Sequence, residues 1–212
     1  MPESSTIVAF IGAVVVLSVT PGPDMALLVT RGISQGRKAA CLTALGFALA
    51  GVVQLPLLAL GVAAVIQSSP LALDAIRYVG AAYLLWRGVH LIRNASGVSM
   101  NAPGRRPATA LWALRDGVIA SLTNPKGMIF LLAFLPQFID PAEGPVGLQL
   151  FLLGLLMKST ALIVESGIAI AAARVGSLVA RAPETVIWLE RVSGVVLIGL
   201  GLRLAAMERL GR

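Results

Sequence analysis

Cysteine occurs once in this chain, at Cys41, and histidine once, at His90. A lone cysteine excludes an internal disulfide and CxxC redox chemistry, and a single histidine without a carboxylate cluster leaves no ligand set for a transition metal. There is no HExxH run, and neither an enzyme activity nor a cofactor is expected. Charge is scarce too, at 13% of residues, with only 10 Asp+Glu against 17 Lys+Arg, and aromatics make up 5%. No long polar block is present that could fold as a separate aqueous domain.

What is abundant is apolar surface. Hydrophobic residues make up 57% of the 212, with mean hydropathy +0.88, a balance that belongs to a polytopic membrane protein. The net charge of +7 would suggest nucleic acid on a soluble chain; on this one it reads as topology-setting loops, and no nucleic-acid partner is expected. The N-terminal run lacks a basic n-region, carries Glu3 and ends in prolines, so it reads as a mature helix rather than a signal peptide.

The expected fold is all-α: one transmembrane domain, 1–212, with six helices as two inverted three-helix repeats, 1–92 and 115–212, joined by a cytoplasmic linker, 93–114. The first span begins at Ile7–Val19 and runs through Thr20-Pro21-Gly22-Pro23-Asp24 to about Val29. A basic loop with Arg31, Arg37 and Lys38 leads to the uncharged stretch Ala39–Leu73, which holds a second span and an outer turn at Ser68-Ser69-Pro70. A third span covers about Leu71–Ile92, a fourth about Asp116–Phe138, a fifth about Val146–Ala173 and a sixth about Val186–Ala206. Cations gather in the loops after spans one, three and five, which places both termini outside the cytoplasm, although Arg209 and Arg212 run against this.

Spans 1 and 4 are each broken by proline, at Thr20-Pro21-Gly22-Pro23 and at Asn124-Pro125-Lys126-Gly127. Proline removes a backbone donor and clashes with the preceding turn, and freed backbone groups at membrane depth are tolerated only inside protein or along a wet cavity. Paired breaks in corresponding spans of inverted halves point to a transporter's substrate site. The candidate substrate-binding or coupling residues are therefore Thr20, Pro21, Gly22, Pro23, Asp24, Asn124, Pro125 and Lys126. Lys158 and Glu165 join them: seven residues apart, they lie on one face of span five, about 10 Å from each other. An acid or base at membrane depth is costly and should face a cavity or a partner. Gln54 is a further uncharged hydrogen-bonding candidate. Gly32 and Gly36, set among cations, read as a flexible cytoplasmic hinge rather than a helix-packing motif, whereas Gly46, Gly51, Gly154 and Gly167 read as close-packing positions.

Thr20-Pro21-Gly22-Pro23, Asn124-Pro125-Lys126 followed by Phe134-Leu135-Pro136-Gln137-Phe138, and Gly80-Ala81-Ala82-Tyr83-Leu84-Leu85-Trp86 together make the chain resemble the LysE/RhtB family of bacterial amino-acid exporters. Cys41 and Gly127 depart from that pattern, standing where the family tends to have glycine and alanine. The resemblance implies a six-span, multi-pass protein of the bacterial inner membrane, a homodimer, exporting amino acids or related metabolites by antiport with protons. Alternative readings are an exporter of a metal cation or toxic amine, and a non-transporting structural subunit of a membrane complex.

Overall fold

A computed structural model of the chain describes residues 4–68, 70–95, 109–179 and 183–206. The described residues are all-helical: α1 (Ser4–Val19), α2 (Pro23–Leu49), α3 (Gly51–Ser68), α4 (Pro70–Arg93), α5 (Ala110–Thr123), α6 (Pro125–Ala133), α7 (Val146–Val179) and α8 (Pro183–Ala206), with 3-10 turns at Leu135–Phe138 and Pro141–Glu143. Ser69 of the expected outer turn, most of the expected linker with Arg105 and Arg106, and Arg181, Arg209 and Arg212 lie outside the described residues.

Proline sets the breaks. Pro23 and Pro125 each occupy the first turn of a new helix, where a missing N–H costs nothing. The residues before them, Gly22 and Asn124, are extended, the conformation that a residue preceding proline favours. The α5–α6 pair bends by 54° at this point. Pro23–Ala64 and Val146–Arg174 are each long and apolar enough to cross a membrane, and the bent pair Ala110–Thr123 with Pro125–Phe138 meets the same test when its two helices are counted as one span. α1 is apolar but short, and α4 carries Asp74, Arg77, Arg87, His90 and Arg93 along its 24 residues.

The basic loop expected at 31–38 is not a loop. Helix α2 continues through it and is interrupted only at Gly36, whose φ of 82° lies in the left-handed region that favours glycine. Arg37 and Lys38 are exposed as expected, but Arg31 is buried, and Gly32 is a packing position after all: a Cβ there would press on Ala169 and Ala172 of α7. Gly46, Gly51 and Gly154 do sit in close contacts, against α5, Lys158 and Leu55 respectively, whereas Gly167 faces open space. The fourth span also starts earlier than expected, at Ala110, where the Thr109 hydroxyl accepts from the backbone N–H of Trp112.

Helices pack α2 and α3 against α7, α2 against α5, and α4 against α8. The α4–α8 contact runs antiparallel: Gly80 faces Leu204, Gly201 faces Ala81 and Leu85, and Gly88 and Gly194 each approach the other's backbone carbonyl. Two apolar clusters flank the breaks. The larger is centred on Phe10, Phe130, Phe134 and Phe138, whose rings stack in series with centroids 4.3 to 5.1 Å apart. The smaller joins Leu28, Ala40, Ala44 and Phe47 of α2 to Ala169 of α7.

Candidate functional site

The two proline breaks, a hundred residues apart in sequence, meet in space. Asn124 Nδ2 donates to Asp24 Oδ2, linking the first turn of α2 to the cap of α6. The same Asn124 accepts from the backbone N–H of Lys126 through Oδ1, so one side chain both caps its own helix and reaches across to the other break. Asp24 stands in the first turn of α2, where the helix dipole favours an anion. Its Oδ1 is buried with no hydrogen-bond partner among the described residues.

Lys126 closes the arrangement from the other side. Helix α1 ends at Val19, leaving its last carbonyls without intrahelical donors. Thr20 meets part of this need, its N–H and hydroxyl both donating to Val16 O. Lys126 is 6% exposed, and its ammonium donates to Leu17 O at 3.1 Å and Thr20 O at 3.2 Å, while Arg87 Nη2 reaches Pro21 O at 3.4 Å. Two cations thus sit on the negative end of a broken helix. Lys126 makes no direct ion pair with Asp24 among the described residues.

Lys158 and Glu165 of α7 open onto the same space. A small cavity of about 50 Å³ is lined by Leu17, Asp24, Phe47, Ser121, Lys126, Met157, Lys158 and Glu165 among others. Lys158 Nζ donates to Phe47 O and to Ser121 Oγ, and Gln54 Nε2 donates to Ser121 O. At about 10–15 Å³ per water, the cavity has room for a few waters. With Asp24, Glu165, Lys126 and Lys158 all on its wall, two formal negative charges face two positive ones. All ten residues expected at the site lie at this junction or on its wall: Thr20, Pro21, Gly22, Pro23, Asp24, Asn124, Pro125, Lys126, Lys158 and Glu165.

Arg87 was not among the expected site residues, nor were Ser121, Phe47 and Met157, which carry no signal in an apolar run. The stretch Gly32-Ile33-Ser34-Gln35-Gly36 spells GxSxG, so the expectation that the chain holds no such motif is wrong. It is no nucleophile elbow: it lies within a helix, and the Ser34 hydroxyl donates to Thr30 O on an exposed face.

Apolar helices, two of them broken where they meet around a charged and water-sized cavity, are the arrangement of a membrane transporter. The chain belongs to the LysE type translocator family, whose model matches residues 15–208. It is 31% identical to the leucine efflux protein of Klebsiella pneumoniae over 204 residues, covering 93% of each chain. It is also 30% identical to the leucine efflux protein of an Enterobacter species, covering 89% of each. An uncharacterized membrane protein of Vibrio cholerae is 30% identical over 94% of this chain and 96% of its own. No solved structure matches the chain.

Proposed function

We propose that this protein exports amino acids, leucine or a similar aliphatic one among them, across the bacterial inner membrane by exchange with protons. The observation that carries the reading is the junction of the two breaks: Asn124 on Asp24 and Lys126 on the end of α1, around a cavity that also receives Lys158 and Glu165. The first turn of α2 and that of α6 offer backbone N–H groups to a substrate carboxylate, and the unpartnered oxygen of Asp24 is suited to its ammonium. Leu17, Phe47, Ala48, Met157 and Ala161 supply the apolar wall for an aliphatic side chain. Leucine efflux in two relatives that align over nearly their whole length supports the substrate class.

In this proposal the chain forms six spans, as two inverted three-helix repeats with both termini periplasmic: α1 with the first limb of α2, the second limb with α3, then α4, α5 with α6, α7 and α8. The antiparallel α4–α8 contact, with Gly88 and Gly194 approaching each other reciprocally, supports an inverted relation between the halves. The cavity is sized for water, so substrate passage requires one half to move against the other, with protons carried by the cavity carboxylates. The protein works as a homodimer in this reading. Export of a metal cation has less support, because among the described residues no three of His, Cys, Asp and Glu come together.

A screen of single amino acids in overexpressing and deleted cells tests the proposal. Extracellular leucine accumulates on overexpression, and Asp24→Asn abolishes the accumulation while the protein remains in the membrane. Wild-type efflux from Asp24→Asn removes the proposed site.

A further inference from the structure

Arg31 is 3% exposed, and its guanidinium makes three polar contacts: Nη2 pairs with Asp116 Oδ2 at 2.7 Å, and Nη1 donates to Thr43 Oγ1 at 2.9 Å and to Ala113 O at 3.2 Å. These partners belong to three segments. Arg31 lies on the limb of α2 before Gly36, Thr43 on the limb after it, and Ala113 and Asp116 on α5 of the other half. The hydrogen bond from Arg31 to Thr43 therefore spans the glycine hinge, and the ion pair spans the two halves of the chain.

The position of this network relative to the breaks gives it meaning. Arg31 follows Asp24 by seven residues on one helical limb, and Asp116 precedes Asn124 by eight on α5 and its cap. Asp24–Asn124 and Arg31–Asp116 are thus two polar rungs between the same antiparallel helix pair, about 10 Å apart along the axis. The first rung belongs to the candidate site. The second lies between that site and Gly36-Arg37-Lys38, on the side that the exposed cations mark as cytoplasmic. Next to it the backbones touch: a Cβ on Gly46 would meet Gly117 and Val118, and one on Gly117 would meet Thr43.

We infer that Arg31 and Asp116 form the cytoplasmic gate of the transporter, a latch that closes the path between the first limb of α2 and α5 and must part in each cycle. The inference rests on the export reading given above. A buried arginine held by one acid and two oxygens has no intermediate, half-satisfied arrangement of similar energy, so the latch has two discrete states, as a gate requires. Asp116 is 30% exposed, so water reaches the acid side and takes over its hydration when the pair parts. Opening turns the limbs about Gly36, the one position in α2 whose backbone already departs from helix. Substrate competing for Asp24 or Asn124 releases the upper rung and leaves the lower one as the remaining polar tie between the first limb of α2 and α5, which links occupancy of the site to the gate.

The test uses a chain with Cys41→Ser as background, into which Arg31→Cys and Asp116→Cys are introduced together, removing both charges so that neither is left unpaired. A short, reducible bifunctional thiol reagent bridges the two positions in proteoliposomes, and leucine efflux is measured before bridging, after it and after reduction. The latch predicts at least a tenfold loss of efflux on bridging and recovery on reduction; bridged protein exporting at the unbridged rate overturns it. The exchanged pair Arg31→Asp with Asp116→Arg gives an independent reading: efflux above that of either single variant supports the latch, and efflux no higher than the singles contradicts it. The Cys41→Ser chain with Arg31 and Asp116 intact separates the two levels. If it exports no leucine, the export reading fails; if it exports while bridging has no effect, only the gate fails.

Discussion

Replacing Lys126 with methionine isolates what its ammonium does. The substitution keeps most of the side chain's apolar volume and removes two charge-assisted hydrogen bonds, to Leu17 O and Thr20 O. Bonds of this kind are worth about 1.5–3 kcal/mol each, so the gross loss is about 3–6 kcal/mol. Against it stands relief from burying the ammonium of a residue only 6% exposed, itself worth several kcal/mol. The two carbonyls are left at the end of α1 with Thr20 and Arg87 as the remaining nearby donors. The net expectation is a destabilisation of about 1–3 kcal/mol, which for a chain of this length is a fall of roughly 2–12 °C in the unfolding midpoint. Thermal unfolding of purified protein in detergent reads this directly, with efflux measured in parallel on reconstituted protein. Loss of efflux together with the fall in midpoint identifies Lys126 as the cation that holds the broken end of α1 in place. An unchanged midpoint would refute that reasoning, because a lysine serving substrate alone could be removed without cost to the empty protein.

Three further expectations follow from particular contacts. Gly46→Ala forces a methyl group onto the backbone of α5 and should destabilise by about 1–3 kcal/mol, whereas Gly167→Ala, which meets open space on an exposed helical face, should be neutral or stabilise by up to about 1 kcal/mol; the two midpoints side by side check this. Glu165→Gln keeps the size of a cavity-lining carboxyl but cannot exchange a proton, so leucine should still leak down its own gradient while losing its response to an imposed pH difference, as measured in vesicles. Asp24→Asn should abolish efflux with the protein still in the membrane, since the unpartnered oxygen offered to the substrate ammonium then carries no charge.

The parts of the site that sequence makes legible are those where local chemistry is inconsistent with an uninterrupted apolar helix. Pro21, Pro23 and Pro125 interrupt apolar runs with glycine or asparagine beside them, and Asp24, Lys126, Lys158 and Glu165 stand out because charge in such runs requires a partner. Their convergence follows from pairing the two breaks. Arg31 is different. Its neighbours Arg37 and Lys38 are exposed, so composition groups the three as one basic loop, and the acid that buries Arg31 lies 85 residues away on another helix. The one trace of it in the sequence is spacing: two turns separate Asp24 from Arg31, and about two turns separate Asp116 from Asn124. Gly36 shows the limit of a breaker signal from the other side, since one residue in the left-handed region does the work of the eight-residue loop that the basic and glycine residues suggest. Ser121 and Phe47 contribute a hydroxyl and a backbone carbonyl to Lys158, groups that nearly every helix offers and no motif marks.

The central claim is export by exchange with protons through the junction of the two breaks. The most direct measurement is leucine efflux from proteoliposomes containing the purified chain, with the pH difference across the bilayer set independently of the leucine gradient. For one-for-one exchange, a difference of one pH unit is worth about 1.4 kcal/mol, enough to sustain a leucine gradient of about tenfold. The account predicts uphill leucine movement against the inward flow of protons, collapsing when an ionophore dissipates the gradient. Leucine movement that proceeds at the same rate with and without the pH difference, or no movement at all, would contradict it.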